Sequence, residues 1–251
     1  MLCFRKSEIK VFSRNAKFVK KTALSFRNKL QHFLVQKLQI SNREAQNLLF
    51  EGKVIIDGLI TSANVTIEPE QEIRIENKVI QAPKNFKYVA FHKPRGIETT
   101  LNQAIVDNLS QILPFEDVFN VGRLDKASEG LLILTDDGRI YDKILRNEHK
   151  IEKEYLVKLD KPFDDSFIEK MSSGVEIMGK MTLPCQVVAV DERCFKIVLI
   201  QGLNRQIRRM CYKLGYEVTL LKRVRIGNLH LGDLKSGDWR FFELEEVLKS
   251  E

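Results

Sequence analysis

The 251-residue sequence offers little that would tie it to a metal, a disulfide framework or a bilayer. It has four cysteines, Cys3, Cys185, Cys194 and Cys211, and no two of them have the spacing of a metal-ligand pair or a redox motif. The four histidines, His32, His92, His149 and His230, are equally scattered. Disulfides and structural zinc are therefore disfavoured, no metal site is expected, and a reducing compartment is. No apolar run reaches the ~18 residues that would span a bilayer. No secretory apolar segment stands before the cysteines. Internal repeats and low-complexity segments are missing too, which leaves an ordinary folded chain. What the sequence does have is 43% hydrophobic and 30% charged residues, enough for one large domain and a smaller one. Lys and Arg outnumber Asp and Glu by 41 to 34, and the excess is concentrated. Met1 to Lys21 carries Arg5, Lys6, Lys10, Arg14, Lys17, Lys20 and Lys21 against Glu8 alone. Gln201 to Arg225 carries Arg205, Arg208, Arg209, Lys213, Lys222, Arg223 and Arg225 against Glu217 alone. A concentrated excess of this kind suits a polyanionic partner.

Four segments are expected: a basic extension over 1–27, a compact module over 28–80, a linker over 81–87 and a larger domain over 88–251. In the module, Leu30, Phe33, Leu34 and Leu38 recur at helical spacing. Ser41-Asn42-Arg43-Glu44 is a capping box for a second helix, and Gly52 is placed to end it. Val54 to Thr61 reads as a hairpin turning at Asp57-Gly58, and Ile73 and Ile75 mark a further strand. The polar, Pro-containing Gln81 to Asn85 reads as the linker. Beyond it, strand-like runs lie at Tyr88 to Phe91, Leu131 to Thr135, Tyr155 to Leu159, Val187 to Val190, Phe195 to Ile200 and Val218 to Leu221. Helical stretches lie near Arg139 to Arg146, Asp164 to Ser172 and Asn204 to Leu214. Strands outnumber helices and are spaced too irregularly for repeated βαβ units. The fold class expected is α+β, with a largely antiparallel sheet.

Three places could carry chemistry. The first is Gly122-Arg123-Leu124-Asp125-Lys126-Ala127-Ser128-Glu129-Gly130, a glycine-flanked loop feeding a buried strand, which can hold a side chain in fixed geometry. Arg123 and Lys126 bracket Asp125, where they would draw a phosphate backbone towards the carboxylate. On local sequence alone, a merely solvated charged loop is the competing explanation. The second is Asn204 to Gly215. Ile207, Met210, Cys211 and Leu214 make its buried face. Arg205, Arg208 and Arg209 crowd the other side without an acidic neighbour, an arrangement that favours a bound anion. The third is Tyr155, at the start of a strand.

The ordered set Lys93-Pro94-Arg95-Gly96, Val121-Gly122-Arg123-Leu124-Asp125, Glu152-Lys153-Glu154-Tyr155-Leu156-Val157 and Gly202 to Met210 closely resembles the ribosomal RNA pseudouridine synthases of the Rsu/Rlu group, over about Tyr88 to Phe242. Gly202 to Met210 and Leu221 to Ile226 look most like the group's F-type enzyme, which serves the large ribosomal subunit. The first module looks like an S-four RNA-binding module. The resemblance implies an isomerase that turns uridine into pseudouridine in structured RNA. It points to large-subunit (23S-type) ribosomal RNA, with transfer RNA held open as a second substrate. It implies Asp125 as the essential carboxylate, acting as nucleophile on the sugar or as base on a ribose proton. Tyr155 would stack on the target base, and Arg208 would pair with Asp125. Arg123, Lys126, Asn204, Arg205 and Gln206 fall where the group contacts RNA. Arg209, Arg223, Arg225 and, in the first module, Arg43 join them as RNA-binding candidates. No cofactor, no metal, no membrane and no partner subunit are implied, so a monomeric cytoplasmic enzyme of bacterial type is expected. The Lys-rich first 21 residues have something of a mitochondrial presequence, but a basic RNA-contacting arm is the preferred reading.

Departures from the group's pattern fall at Lys29-Leu30-Gln31-His32 and Asn42, where the module has fewer cations, and at His92. A binding-only assembly factor and a metal-dependent nuclease built on Asp125, Asp136, Asp137 and Glu154 are the competing functions. The first is disfavoured by the intact Asp125, Tyr155 and Arg208. The second is disfavoured because Asp136-Asp137-Gly138 reads as a turn.

Overall fold

The computed structural model describes residues 28–145 and 151–247. The basic arm Met1 to Lys21 and the end of the helix expected near Arg146 lie outside them. The chain divides into two compact units between Asn85 and Phe86.

In the first unit, α1 (Leu30–Leu38) and α2 (Asn42–Phe50) precede β1 (Val54–Ile56), β2 (Leu59–Ile60), β3 (Ile73–Ile75) and β4 (Lys78–Gln81). The capping box at α2 is complete: Ser41 Oγ accepts from the Glu44 amide at 3.2 Å, and Glu44 accepts from the Ser41 amide at 2.7 Å. Asp57 and Gly58 both take positive φ, 50° and 82°, which lets two residues reverse the chain between β1 and β2. The sheet runs β2-β1-β3-β4, all antiparallel. Leu30, Leu34, Ala45, Leu49, Val54 and Ile73 bury the helices against it.

The second unit contains β5 (Tyr88–Lys93), β6 (Phe119–Val121), β7 (Glu129–Thr135), α3 (Arg139–Leu145), β8 (Lys153–Leu159), α4 (Asp165–Ser173), β9 (Glu176–Ile177), β10 (Lys180–Met181), β11 (Gln186–Asp191), β12 (Cys194–Leu199), α5 (Gln206–Lys213), β13 (Val218–Ile226), β14 (Leu229–His230) and β15 (Trp239–Phe241). Its main sheet runs β11-β12-β8-β13-β7-β5-β15, with β14 on β13 and β6 on β7. The fold is α+β, as expected. The short strands β6, β9, β10, β14 and β15 were not anticipated, because two or three residues carry no legible period.

One pairing in this sheet is parallel. β13 meets β7 through Lys222↔Glu129 and Arg223↔Gly130, whereas every other pair is antiparallel. The seam depends on Gly130. Its φ is +107°, and a Cβ there would collide with the backbone oxygen and nitrogen of Arg223. Reading the registers across the seam, Lys93, Gly130, Arg223, Tyr155 and Ile197 form one row over five strands and share one face. Val89, Phe91, Leu132 and Leu134 make one core on that face. Val157, Phe195 and Ile197, covered by Phe167 and Met171 of α4 and Ile207 and Met210 of α5, make another. The row begins at Lys93, the last residue of β5, and Gly130, near the start of β7, where the chain enters from the 122–128 loop. No helix among the described residues is long and apolar enough to cross a membrane.

Candidate active site

The loop joining β6 to β7 carries Asp125, and its backbone is almost wholly engaged. Six of its seven carbonyls from Gly122 to Ser128 accept a hydrogen bond. Asn120 donates to Gly122 at 2.8 Å, and the Ser128 amide closes a turn onto Asp125 at 2.9 Å. Thr99 Oγ1 donates to the Leu124 carbonyl at 2.6 Å and accepts from the Leu124 amide at 3.2 Å. The Gly96 amide donates to Lys126 at 2.7 Å, at a glycine whose φ is +91°. Arg208 Nη2 donates to Ala127 at 2.9 Å and to Ser128 Oγ at 3.3 Å, while its Nη1 donates to Val218 at 3.0 Å. Lys93 Nζ donates to Ser128 at 2.9 Å and to Pro94 at 2.7 Å. A loop restrained this way holds its backbone on one course, which fixes where the Asp125 side chain starts.

Two of these donors are charged, Lys93 buried and Arg208 half-buried. Lys93 has no exposed surface. Burial pushes its ammonium down to about 8, against the pull of Glu98, Asp125 and Glu129. Burial also lowers the Arg208 guanidinium, with Arg205 next; the Asp125 carboxylate works the other way, and Arg95 adds to the lowering. The role of Lys93 was not read from the sequence beyond its place in a motif. A lysine closing the apolar run Tyr88-Val89-Ala90-Phe91 was the available signal. Thr99 left none.

Asp125 shares a cavity of about 140 Å³ with Tyr155, Arg123, Arg205 and Leu221. That is well below the roughly 300 Å³ or more of a drug-sized site, and it is on the scale of one planar base. Tyr155 is half-buried there, on β8 between Ile197 and Arg223.

The cation facing Asp125 is not the expected one. Arg205 Nη1 stands 3.7 Å from Asp125 Oδ2, whereas Arg208 spends its donors on the loop carbonyls and Val218. Arg208 sits one turn along α5, where its guanidinium reaches behind the loop rather than over it. Arg205 precedes the helix in the left-handed region (φ 50°), which swings its side chain to the cavity side.

Other candidates change role as well. Arg223 is 3% exposed and donates to the Leu131 carbonyl at 2.7 Å, so it belongs to the frame of the seam and does not face RNA. Arg225 is carried to the reverse face by a register shift between Arg223 and Arg225, and it is paired there with Glu154 at 2.9 Å and Glu152 at 3.1 Å. Gln206 is 4% exposed and braces Leu203 and Gln201. Arg209 is folded onto Asn204, through the carbonyl at 3.1 Å and Oδ1 at 3.2 Å. Arg123, Lys126 and Asn204 are exposed around the loop and α5, with Lys126 in an ion pair to Asp107 at 3.2 Å. Arg43 is exposed on α2 of the first unit.

The carboxylates of the nuclease alternative are dispersed. Asp137 accepts from Tyr88 and Arg139, Asp136 from the Lys87 amide, and Glu154 is held on the reverse face. No three His, Cys, Asp or Glu residues among those described come together as ligands.

A cavity of base-like volume, with a carboxylate and two arginines in its lining, suits an enzyme that acts on an extruded nucleotide. The RNA pseudouridylate synthase family model matches residues 87–213, and the chain belongs to that family. It is 39% identical over 211 residues to the dual-specificity RNA pseudouridine synthase RluF of Escherichia coli strain K12, covering 83% of this chain and 73% of that protein. It is 31% identical over 229 residues to the ribosomal small subunit pseudouridine synthase A of Vibrio cholerae, covering 87% and 97%. A solved pseudouridylate synthase superposes with a TM-score of 0.62 at 26% identity, covering 87% of this chain and 97% of that one.

Proposed function

We propose that the protein converts uridine to pseudouridine in large-subunit ribosomal RNA, with transfer RNA as a second substrate, and that Asp125 is its catalytic carboxylate. One observation carries the assignment of roles: Asp125 and Tyr155 line one base-sized cavity, and the carboxylate sits on a loop whose carbonyls are almost all bonded. The target uridine must leave its stack at a cost of a few kcal/mol. Stacking on the Tyr155 ring returns ~1–3 kcal/mol of that. Asp125 then acts on the ribose. The bond from ribose carbon 1′ to uracil nitrogen 1 breaks, the base turns, and carbon 1′ joins carbon 5. Carbon 5 gives up its proton and nitrogen 1 gains one, so the reaction balances without a co-reactant.

Arg208 is a positioning residue in this scheme, acting through the Ala127 carbonyl and Ser128. Arg205 is the cation beside the carboxylate. Arg123, Lys126 and Asn204 meet the RNA backbone around the cavity, and Arg43 meets it from the first unit. A monomeric enzyme is part of the same proposal. The bacterial relatives support a cytoplasmic enzyme.

Pseudouridine mapping of ribosomal and transfer RNA from cells lacking the protein tests this directly. A site that disappears and returns with wild type, but stays below about one part in 10⁴ of the wild-type rate with Asp125→Asn, is the expected result. Restoration by the Asn variant would remove Asp125 as catalyst.

A further inference from the structure

Beside the catalytic cavity lies a second, larger one of about 540 Å³, between the outward side of α5 and the β9–β10 hairpin. Arg205 lines both, so the two adjoin at that side chain. The mechanism uses nothing else in the larger groove except Arg208, whose guanidinium is turned to the loop. The groove's wall is cationic: Arg205, Arg208, Arg209 and Lys213 line it, against the carboxylates Glu176 and Glu217.

Its most unusual member is Tyr212. The side chain is 76% exposed and has no ring or hydrogen-bond partner among the described residues, although it stands on a helix whose opposite face is fully packed. Tyr216, at the far end, is by contrast anchored. Its ring meets Phe167 edge-on at 4.7 Å, and Lys161 lies 5.0 Å over it. Arg209 is held in place by Asn204 but uses only Nε and one terminal nitrogen there, which leaves guanidinium donors for an anion. An exposed aromatic face flanked by pre-positioned cations is the pattern that binds single-stranded nucleic acid, with the base on the ring and the phosphates on the cations.

We infer that this groove holds an unpaired nucleotide neighbouring the target uridine, its base stacked on Tyr212 and its phosphates on Arg209 and Lys213. The inference deepens the proposed function, since the strand must already be an RNA whose target nucleotide enters the Asp125 cavity. A strand passing over Arg205 reaches Tyr212 two helical turns along, so the second nucleotide would help select unpaired substrates without touching the reacting atoms.

The test is binding of a fluorescein-labelled ten-nucleotide oligouridine by the full chain in the Asp125→Asn background, where turnover plays no part. Tyr212→Ala is expected to weaken binding about tenfold, and Tyr212→Phe to restore it. Lys213→Gln is expected to reduce the slope of log affinity against log salt by about 0.7. Unchanged melting curves would check that all three variants fold, as the exposure of Tyr212 and Lys213 leads one to expect. If Tyr212→Ala binds like its parent, no base sits in the groove and the inference fails. That result would also redirect attention to a protein ligand for this surface. Failure of the proposed function would appear separately, as RNA sites that do not depend on Asp125 at all.

Discussion

The Asp125 loop and the outer face of α5 adjoin each other and are both rich in cations, yet the cations do opposite work. At the loop, Lys93 and Arg208 are turned inward and give their donors to the Ser128, Ala127 and Val218 carbonyls. On α5, Arg205, Lys213 and the neighbouring ring of Tyr212 are exposed. A buried cation keeps its charge only if carbonyls or carboxylates replace its water, so it becomes a structural clamp. An exposed one remains available to a phosphate. What a cation's donors bond, and not its residue type, separates the positions that brace the loop from those left open to an anion.

Substitutions that blur this contrast should act in order of depth. Gly130→Ala comes first, because its methyl would enter the Arg223 backbone at a φ that alanine avoids. A loss of about 3 kcal/mol or more is expected, read as a lower urea midpoint with the slope retained. An unchanged midpoint would mean that the seam between β7 and β13 yields more readily than the geometry implies.

Arg208→Lys should follow. The shorter, single-centred ammonium cannot reach Ala127 and Val218 together. A fall in kcat of ~10–100-fold is expected, with KM for RNA little changed, since the guanidinium works through the loop. If KM rose instead at constant kcat, Arg208 would belong with the RNA-facing cations.

The smallest effect concerns pH. Lys93, and Lys153 likewise through burial, have folded values of about 8, below the ordinary lysine value. Between those limits the unfolded chain binds more protons at these two lysines than the folded one, so their contribution to stability rises with pH through that window, opposed by the thiols of Cys185 and Cys211, which burial raises to about 11 and about 12. Lys93→Met should flatten the rise, because one of the two lysines responsible is gone. Denaturant midpoints at pH 7.5 and about pH 10 compare the two proteins, and an equal rise in both would mean that Lys93 does not titrate there.

Much of this was legible from residues. The Ser41 to Glu44 capping box, the Asp57-Gly58 turn and the apolar stripe Ile207, Met210, Cys211 and Leu214 are local patterns, and each appears where its spacing places it. The ordered motifs brought Asp125 and Tyr155 to one family before any contact was known. What spacing could not resolve was direction. Arg205, Arg208 and Arg209 are near neighbours in sequence, but one faces Asp125, one grips the loop from behind and one folds onto Asn204. Arg223 and Arg225, two residues apart, are separated by a register shift in β13, so that one is buried at the seam and the other is paired on the reverse face.

The sequence by itself determined the local elements and the α+β class, because these follow from periodicity and capping within short stretches, and its ordered motifs carried the resemblance to the family. Only the tertiary structure decided which arginine meets the carboxylate, which lysine is stripped of water and where a second base finds an open ring. The surroundings of Lys93 depend on a parallel seam joining residues 130 and 223. No local pattern encodes a pairing between strands so far apart, since its free energy comes from burial that exists only once the whole sheet has formed.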